Sequence, residues 1–405
     1  MKPLVVPLAA PEAADPARFG PKAANLAALG HAGLPTPGGF CLDARAYRLQ
    51  LAHVGAEAAA REAFSADPVR ARMAAVEVKL AIFNEQIAPE ILEPLLATWR
   101  QLLPAPGAMG VVRSSALVED RDGTSFAGQF ESFLGLQNEE DFLTAVRSCW
   151  AALWSSRALR YMATHGLDPA DTAMALLVQP LVDARASGGG LSRTGKEEML
   201  LSATWGLGSA IAEGQVVPDS YTLGLDAKLR RVVAGRKGHS VGCAHGAQPV
   251  EPEQAVERCL DDAQAEELAG LLLRAEAVQQ RPVEIEWALD ETGFKMLQAR
   301  PLHTEPAQPP DELWLRHPGL SGHPAGVGWG VGRACIVNCE CELSRVAPGD
   351  VLVTKVAGPA LSLVLPRVAG VVAELGGSTS HLASLARERG IPMVLGVLDA
   401  TRRIP

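Results

Sequence analysis

The feature that most restricts how this 405-residue chain can fold is a proline-rich break late in its length. The stretch PLHTEPAQPPDE, beginning at Pro301, holds four prolines and no apolar periodicity. Proline locks φ and removes a backbone donor, so such a stretch runs extended and semi-rigid and builds no core of its own. The chain must then fold as separate bodies. We expect one over residues 1–300, long enough for two subdomains, a linker over 301–313, and a smaller domain over 314–405.

Patterning on both sides of the break mixes helix and strand. Residues 56–100 are rich in Ala, Glu and Leu at helical spacing. Residues 141–161 read as helix, with Phe142, Val146, Cys149, Trp150 and Leu153 on one stripe. Short β-like runs occur at GVVRSS and SFAGQFESFLGL, and strands are expected over 174–182, 199–204 and 220–225. A helix over 264–278 precedes two strands, VEIEWAL and GFKMLQAR. Beyond the break, VVAEL, a glycine turn, SHLASLARERG and IPMVLGV read as strand, turn, helix and strand. The fold class is α/β (α+β).

Composition excludes some functions. The net charge of -9 offers no broad basic face for nucleic acid, and aromatics, at 5%, do not alternate with basic residues. No apolar run reaches the ~18 residues of a membrane span. The N-terminal MKPLVVPLAAPEAAD faintly resembles a signal peptide, but Pro7 interrupts its apolar stretch and a first strand is expected instead. Seven scattered cysteines do not form a disulfide framework and fit a reducing cytoplasm. The cluster Cys335, Cys339 and Cys341 invites a metal, yet no paired C-x-x-C accompanies it. A strand and turn carrying small, half-buried thiols is the plainer expectation.

The most specific chemistry lies at His381. Gly376 and Gly377 break the preceding strand, Thr379 and Ser380 stand where N-caps are preferred, and His381 opens the helix. Gly390 and Pro392 end it. Free N–H groups and the helix dipole favour an anion at such a terminus, and a neutral imidazole there can attack phosphorus. The ordinary alternative is a capping or surface histidine.

A second constellation is spread over the first 300 residues. Lys22 follows Gly20 and Pro21 at a turn and can meet phosphates as a point charge. Arg113 follows the strand-like GVV, and the loop GTSFAG over 123–128, with Ser125 and Gly128, can drape N–H groups over phosphates. Glu284 and Glu286, two apart on a strand, share a face; Met296, Gln298 and Arg300 share one on the next strand. Glu286 and Gln298 offer hard oxygen ligands to Mg²⁺, and Arg300 can neutralise a phosphate. A polar hairpin facing water is an equal reading on spacing alone.

With these anchors in view, the chain resembles the phosphoenolpyruvate synthase and pyruvate phosphate dikinase family, which also includes rifampicin phosphotransferases and phenylphosphate synthase. GPKAANL with GLPTPGGF, VVRSSALVEDRDGTSFAGQFESFLGL, LLVQPLV, TWGLGSAIAEGQVVPDSY, VEIEWAL with MLQARP, and GGSTSHLASLARERGIPMVLGV carry the resemblance from about Phe19 to the end. It implies an ATP-grasp nucleotide-binding unit followed by a β/β/α-type swivelling phosphohistidine domain. Lys22, Arg113 and Arg300 would contact ATP phosphates, the GTSFAG loop would cover them, Gln179 would border the adenine, and Glu286 and Gln298 would hold Mg²⁺ with Glu284 nearby. His381 would take the β-phosphate of ATP, releasing AMP and then Pi, and pass phosphate to an acceptor of pyruvate or phenol type.

The chain departs from the family in having Pro21 before Lys22, Pro180 and Leu181 after LLVQ, and DARASGGGLSRTG where a hydrophobic strand enters a loop. Nothing in it corresponds to the pyruvate-binding barrel or an antibiotic-binding insert, and the swivel domain reads as incomplete at Pro405. The expectation is a cytoplasmic catalytic subunit whose acceptor is held by a separate chain, or a fragment. Alternatives are a self-contained small-molecule phosphotransferase and a nucleotide-binding regulatory module without transfer.

Overall fold

The computed structural model describes residues 2–63, 67–103, 107–119, 130, 132–164, 166–167, 172–242, 246–302 and 320–404. The chain forms two compact units: residues 1–182 with 296–300, and residues 183–295 with 301–405. The expected region 1–300 thus divides into two pieces, and the second groups with the C-terminal residues. Most of the expected linker, together with Ser125 and Gly128, lies outside the described residues.

The first unit is an antiparallel sheet packed with helices. In chain order it holds β1 (Val5–Pro7), α1 (Pro16–His31), β2 (Phe40–Leu42), α2 (Ala44–His53), α3 (Glu57–Glu62), α4 (Pro68–Asn84) and α5 (Pro89–Leu102). Then come β3 (Gly110–Ala116), β4 (Ser132–Leu136), α6 (Glu139–Ala152), α7 (Ser156–Thr164) and β5 (Met174–Pro180). The strand order is β1-β2-β5-β3-β4. β5 is central, and its residues 174–178 are fully buried, which explains its unbroken apolar run. The helical stripe expected on α6 is real: Phe142, Val146, Cys149, Trp150 and Leu153 are all buried. The single helix expected over 141–161 is instead two, because the chain turns at residues 153–155.

The second unit begins with β6 (Ala186–Leu191), β7 (Met199–Trp205), α8 (Ser209–Ala212), β8 (Asp219–Leu223) and β9 (Leu229–Val233). A small hairpin, β10 (His239–Gly242) and β11 (Gly246–Pro249), leads through α9 (Pro252–Val256) and α10 (Asp262–Gln279) to β12 (Val283–Asp290) and β13 (Gly293–Pro301), whose residues 296–300 belong to the first unit. The six-stranded sheet runs β13-β12-β6-β7-β8-β9. Asp261 starts α10 with a capping box, its carboxylate accepting from Gln264 N while Gln264 answers to its backbone.

Beyond the linker lie β14 (His323–Gly326), β15 (Ala334–Val337), β16 (Val351–Thr354), β17 (Gly370–Ala373), α11 (His381–Glu388), β18 (Met393–Leu395) and α12 (Ala400–Arg403). Their sheet has the order β14-β18-β17-β16-β15. β15, β16, β17 and β18 are parallel, and β14 closes the edge antiparallel. The strand, turn, helix and strand expected around His381 are therefore β17, α11 and β18.

One expectation, that of the cysteine cluster, is corrected. DARASGGGLSRTG, the departure from the family pattern after Val182, contains the strand β6, although glycine disfavours one. Packing overrides propensity here: a Cβ on Gly188 would lie 1.8 Å from the Ser202 carbonyl oxygen, and one on Gly190 would meet Leu201 and Ile285. The cysteine cluster is neither a metal site nor three free thiols. Cys339 and Cys341 form a disulfide, Cys335 is buried on β15, and among the described residues no cluster of three or more His, Cys, Asp and Glu is placed to hold a metal ion. Burial pushes the Cys41 thiol up to about 12, so it is an inert core residue.

Candidate functional site

In the first unit the site is built where α1 meets β3. α1 is broken at Gly20, whose φ of 72° and ψ of 159° restart the helix at Pro21. Only glycine fits: a Cβ there would lie 2.4 Å from the carbonyl oxygen of Ser115. Pro21 then occupies a first helical turn, where its missing N–H costs nothing, so this departure from the family pattern is structurally consistent. Lys22 Nζ donates to the Ser114 carbonyl at 2.8 Å and lies 3.5 Å from the Glu119 carboxylate. The Ala23 N–H donates to Ser115 Oγ. Two consecutive residues of β3 thus fix the turn that carries Lys22.

Arg113, on β3, ties in the second half of β13. Its guanidinium donates to the Leu297 carbonyl at 2.8 Å and to Gln298 Oε1 at 2.9 Å. Asn25 Nδ2 donates to the Ala299 carbonyl. Gln298 and Arg300 are buried. Lys22, Arg113 and Gln298 therefore belong to one hydrogen-bonded neighbourhood of α1, β3 and β13, and Arg300 is buried on the same strand. Gln179 is the penultimate residue of β5, where its amide donates to the Gly38 carbonyl. Sequence reasoning missed Asn25 and Glu119. Glu119 is buried, beside Lys22, and accepts from Ala116 N. The available signal was a carboxylate four residues before the GTSFAG loop begins at Gly123.

Gly20→Ala tests how far Lys22 depends on the broken helix. It adds a Cβ in a backbone region that costs about 1–3 kcal/mol for other residues. Nucleotide affinity, measured by titration calorimetry, is expected to fall on the order of tenfold or more. An unchanged affinity would show that the turn does not position Lys22.

In the second unit the histidine sits on a platform. Gly376, with φ 107°, turns the chain out of β17, and Ser380 caps α11 by accepting from Ala383 N. His381 is the first residue of α11, and Leu382, Leu385 and Ala386 are buried. Gly390, with φ 61°, follows the helix as expected. The loop rests on the six-stranded sheet. Gly376 N donates to the Val216 carbonyl, and Gly377 lies so close to Pro218 that a Cβ would sit 2.6 Å from its Cγ. Thr379 packs on Gly189, where a Cβ would lie 2.6 Å from the Thr379 Cβ. The Thr379 hydroxyl is buried with no hydrogen-bond partner among the described residues. Such a group is uncommon and marks a place where a polar ligand can be received.

Both strand carboxylates lie on this side of the sheet. Glu286 stands opposite Gly189 in register, so it shares the face on which Thr379 packs. Glu284 accepts from Ser384 Oγ at 3.1 Å and from Arg387 Nη2 at 3.0 Å. Arg387 also donates to the carbonyls of Ser378 and Ala325. In this arrangement the histidine helix takes the Glu284 carboxylate, a role sequence reasoning did not foresee.

The Arg387–Glu284 pair is nearly buried, with side-chain exposures of 10% and 6%. Removing one partner of such a pair costs about 3–5 kcal/mol while the other stays buried. Arg387→Ala is therefore expected to release α11 from β12. Amide exchange in α11 should accelerate on the order of a hundredfold, as about 3 kcal/mol requires. Unchanged exchange would mean that the pair does not hold the helix down.

Residues 17–313 match the family model described as pyruvate phosphate dikinase, AMP/ATP-binding domain. Residues 346–405 match that of the PEP-utilising enzyme, mobile domain. The chain belongs to the phosphoenolpyruvate synthase and pyruvate phosphate dikinase family. It is 32% identical over 397 residues to a probable phosphoenolpyruvate synthase of Methanothermobacter thermautotrophicus, covering 94% of this chain and 58% of that protein. It is 30% identical over 419 residues to phosphoenolpyruvate synthase of Escherichia coli, covering 96% and 52%. With the Pyrococcus furiosus phosphoenolpyruvate synthase it shares 29% over 445 residues, covering 95% and 54%. The chain spans about half the length of these relatives. The expected fold class holds: an ATP-grasp-type nucleotide domain followed by a mobile domain. Among the described residues, no helix is long and apolar enough to cross a membrane.

Proposed function

We propose that this protein is an ATP-dependent phosphotransferase of the dikinase type, with His381 as its nucleophile. An imidazole nitrogen of His381 forms a bond to the β-phosphorus of ATP, and the bond from that phosphorus to the α,β-bridging oxygen breaks, releasing AMP. Hydrolysis of the γ-phosphoryl group then yields Pi and leaves phosphohistidine, which passes its phosphate to an acceptor. The observation that carries the reading is the setting of His381 on the first turn of a capped helix, beside the partnerless buried hydroxyl of Thr379. The helix N–H groups and that hydroxyl suit phosphoryl oxygens.

Lys22, Arg113 and Arg300 are assigned to the ATP phosphates, and Gln179 to the edge of the adenine. Ser125 and Gly128 are assigned to the covering loop, and Gly376 and Gly377 to the turn that admits the phosphates. The hard oxygens of Glu286 and Gln298 fit Mg²⁺, which favours one or two carboxylate or amide ligands together with phosphates and water. When bound, Mg²⁺ neutralises phosphate charge; Glu286 and Gln298 would hold it, with Glu284 near by. Glu119 keeps the Lys22 ammonium placed before ATP arrives.

Pyruvate is the proposed acceptor, by analogy with the named activity of the relatives, and a phenol is the competing one. The acceptor is proposed to be held by a separate chain, and the reaction to run in the cytoplasm.

The test uses ATP labelled separately at the β and γ positions, with Mg²⁺. Acid-labile, base-stable label from the β position, accompanied by AMP, is the expected result. ADP with γ-label on the protein would replace the dikinase reading by a simple kinase. Tight nucleotide binding with neither label nor AMP, even with pyruvate or a phenol and the acceptor-binding chain present, would leave a regulatory nucleotide module.

A further inference from the structure

α4 is apolar on two opposite faces. Ala74, Ala75, Val78 and Ile82 are buried, and the helix packs with α2, α3 and α6 on that side. On the other side Val69, Met73, Val76, Leu80 and Phe83 are exposed, by 65%, 69%, 55%, 52% and 43%. Their spacing is four, three, four and three residues. At about 100° per residue they fall in a strip roughly 80° wide, the a/d seam of a coiled coil. Single exposed apolar residues need no explanation, but five in heptad register on one helix do.

The flanks of the seam differ in charge. One carries Arg72 and Lys79, both exposed, and neither forms an ion pair among the described residues. The other carries Arg70, Glu77 and Asn84, so its charges nearly balance. Charge therefore selects among occupants. Two antiparallel copies of α4 would set basic flank against basic flank. Two parallel copies would set Arg72 against Glu77 of the other copy but Lys79 only against Asn84, matching one of the two cations. A helix with carboxylates along one edge satisfies both Arg72 and Lys79, and the balanced flank opposes no sign of charge.

We propose that the exposed seam of α4 is a docking surface for an amphipathic helix of another polypeptide, one with an apolar heptad seam and Glu or Asp along the edge that meets Arg72 and Lys79. This is helix-to-helix recognition in which apolar anchors give adhesion and flanking charges choose the partner. It does not depend on the phosphotransfer reading.

The test uses the full chain and two synthetic three-heptad peptides. Both carry Leu at the seam positions; one has Glu and the other Lys at the flanking positions. Fluorescence anisotropy of the labelled peptides is expected to give roughly tenfold tighter binding of the Glu peptide at low salt, the scale of a few exposed ion pairs. Leu80→Glu and Met73→Glu, both at exposed positions, should abolish binding while the circular dichroism and melting temperature stay unchanged. Arg72→Glu with Lys79→Glu should reverse the preference toward the Lys peptide. Binding of neither peptide overturns the proposal, and so does equal binding of both. Sedimentation showing a concentration-dependent dimer that Leu80→Glu abolishes would assign the seam to a second copy of this chain instead.

Discussion

With His381 replaced by alanine, label from β-labelled ATP is expected to disappear from the protein, and AMP formation to fall by about 10³-fold or more. Loss of a nucleophile that forms a covalent intermediate removes the chemical step itself, and losses on the order of 10³–10⁶ are usual for such residues. Nucleotide binding should survive, because Lys22, Arg113 and Gln298 are held by hydrogen bonds within the first unit. The fold should survive too: His381 is partly exposed at the start of α11, and its neighbours Leu382 and Leu385 supply the burial. Ser380→Ala is the matched control. It removes the cap that accepts from Ala383 N, costs about 1 kcal/mol of helix stability, and leaves the nucleophile in place. Its labelling should fall several-fold rather than vanish. Persistent β-label in the His381 variant would move the phosphoryl acceptor to another residue and undo the mechanism.

How much of this was legible depended on whether the information was local. The turn before α11, its Ser380 cap and its Gly390 stop are contiguous residues obeying terminus chemistry, and they appeared in the structure as read. The alternation on β12 was also legible, since Trp287 and Ile285 are buried on one face while Glu284 and Glu286 take the other. Long-range complementarity was not legible. Why β6 carries glycines could not be read from the segment, because Ile285 and Thr379, which two of them accommodate, lie far away in sequence. The bond between Glu284 and Arg387 spans 103 residues and could not be seen from the strand. Arg113 was singled out for phosphate, but its hydrogen bond to Gln298 spans 185 residues. The Cys339–Cys341 disulfide closes so short a loop that spacing alone did not announce it.

The largest stability effect is expected at a pair that no motif announced. Lys237 and Asp219 are fully buried, and their charged atoms lie 2.5 Å apart. The Asp219 carboxylate also accepts from the N–H groups of Gly235 and Cys259, at 2.7 Å and 2.8 Å. Lys237→Met would leave a buried carboxylate with two neutral donors and no cation, at a cost of about 3–5 kcal/mol. For a unit of this size that lowers the melting temperature by roughly 6–20 °C. Calorimetry should find the loss in the transition of the second unit, the first melting as before. The double change Asp219→Leu with Lys237→Met removes both charges and should recover most of the loss, since a buried pair is often no better than apolar residues of similar volume. A single variant that loses less than about 1 kcal/mol would mean that water or another cation compensates Asp219. The consequence reaches the site. Asp219 opens β8 directly after Pro218, against which Gly377 packs, and Val216 receives the Gly376 N–H. The pair therefore anchors the segment on which the histidine loop rests. In Lys237→Met, labelling of His381 should decline at temperatures where the first unit still binds nucleotide.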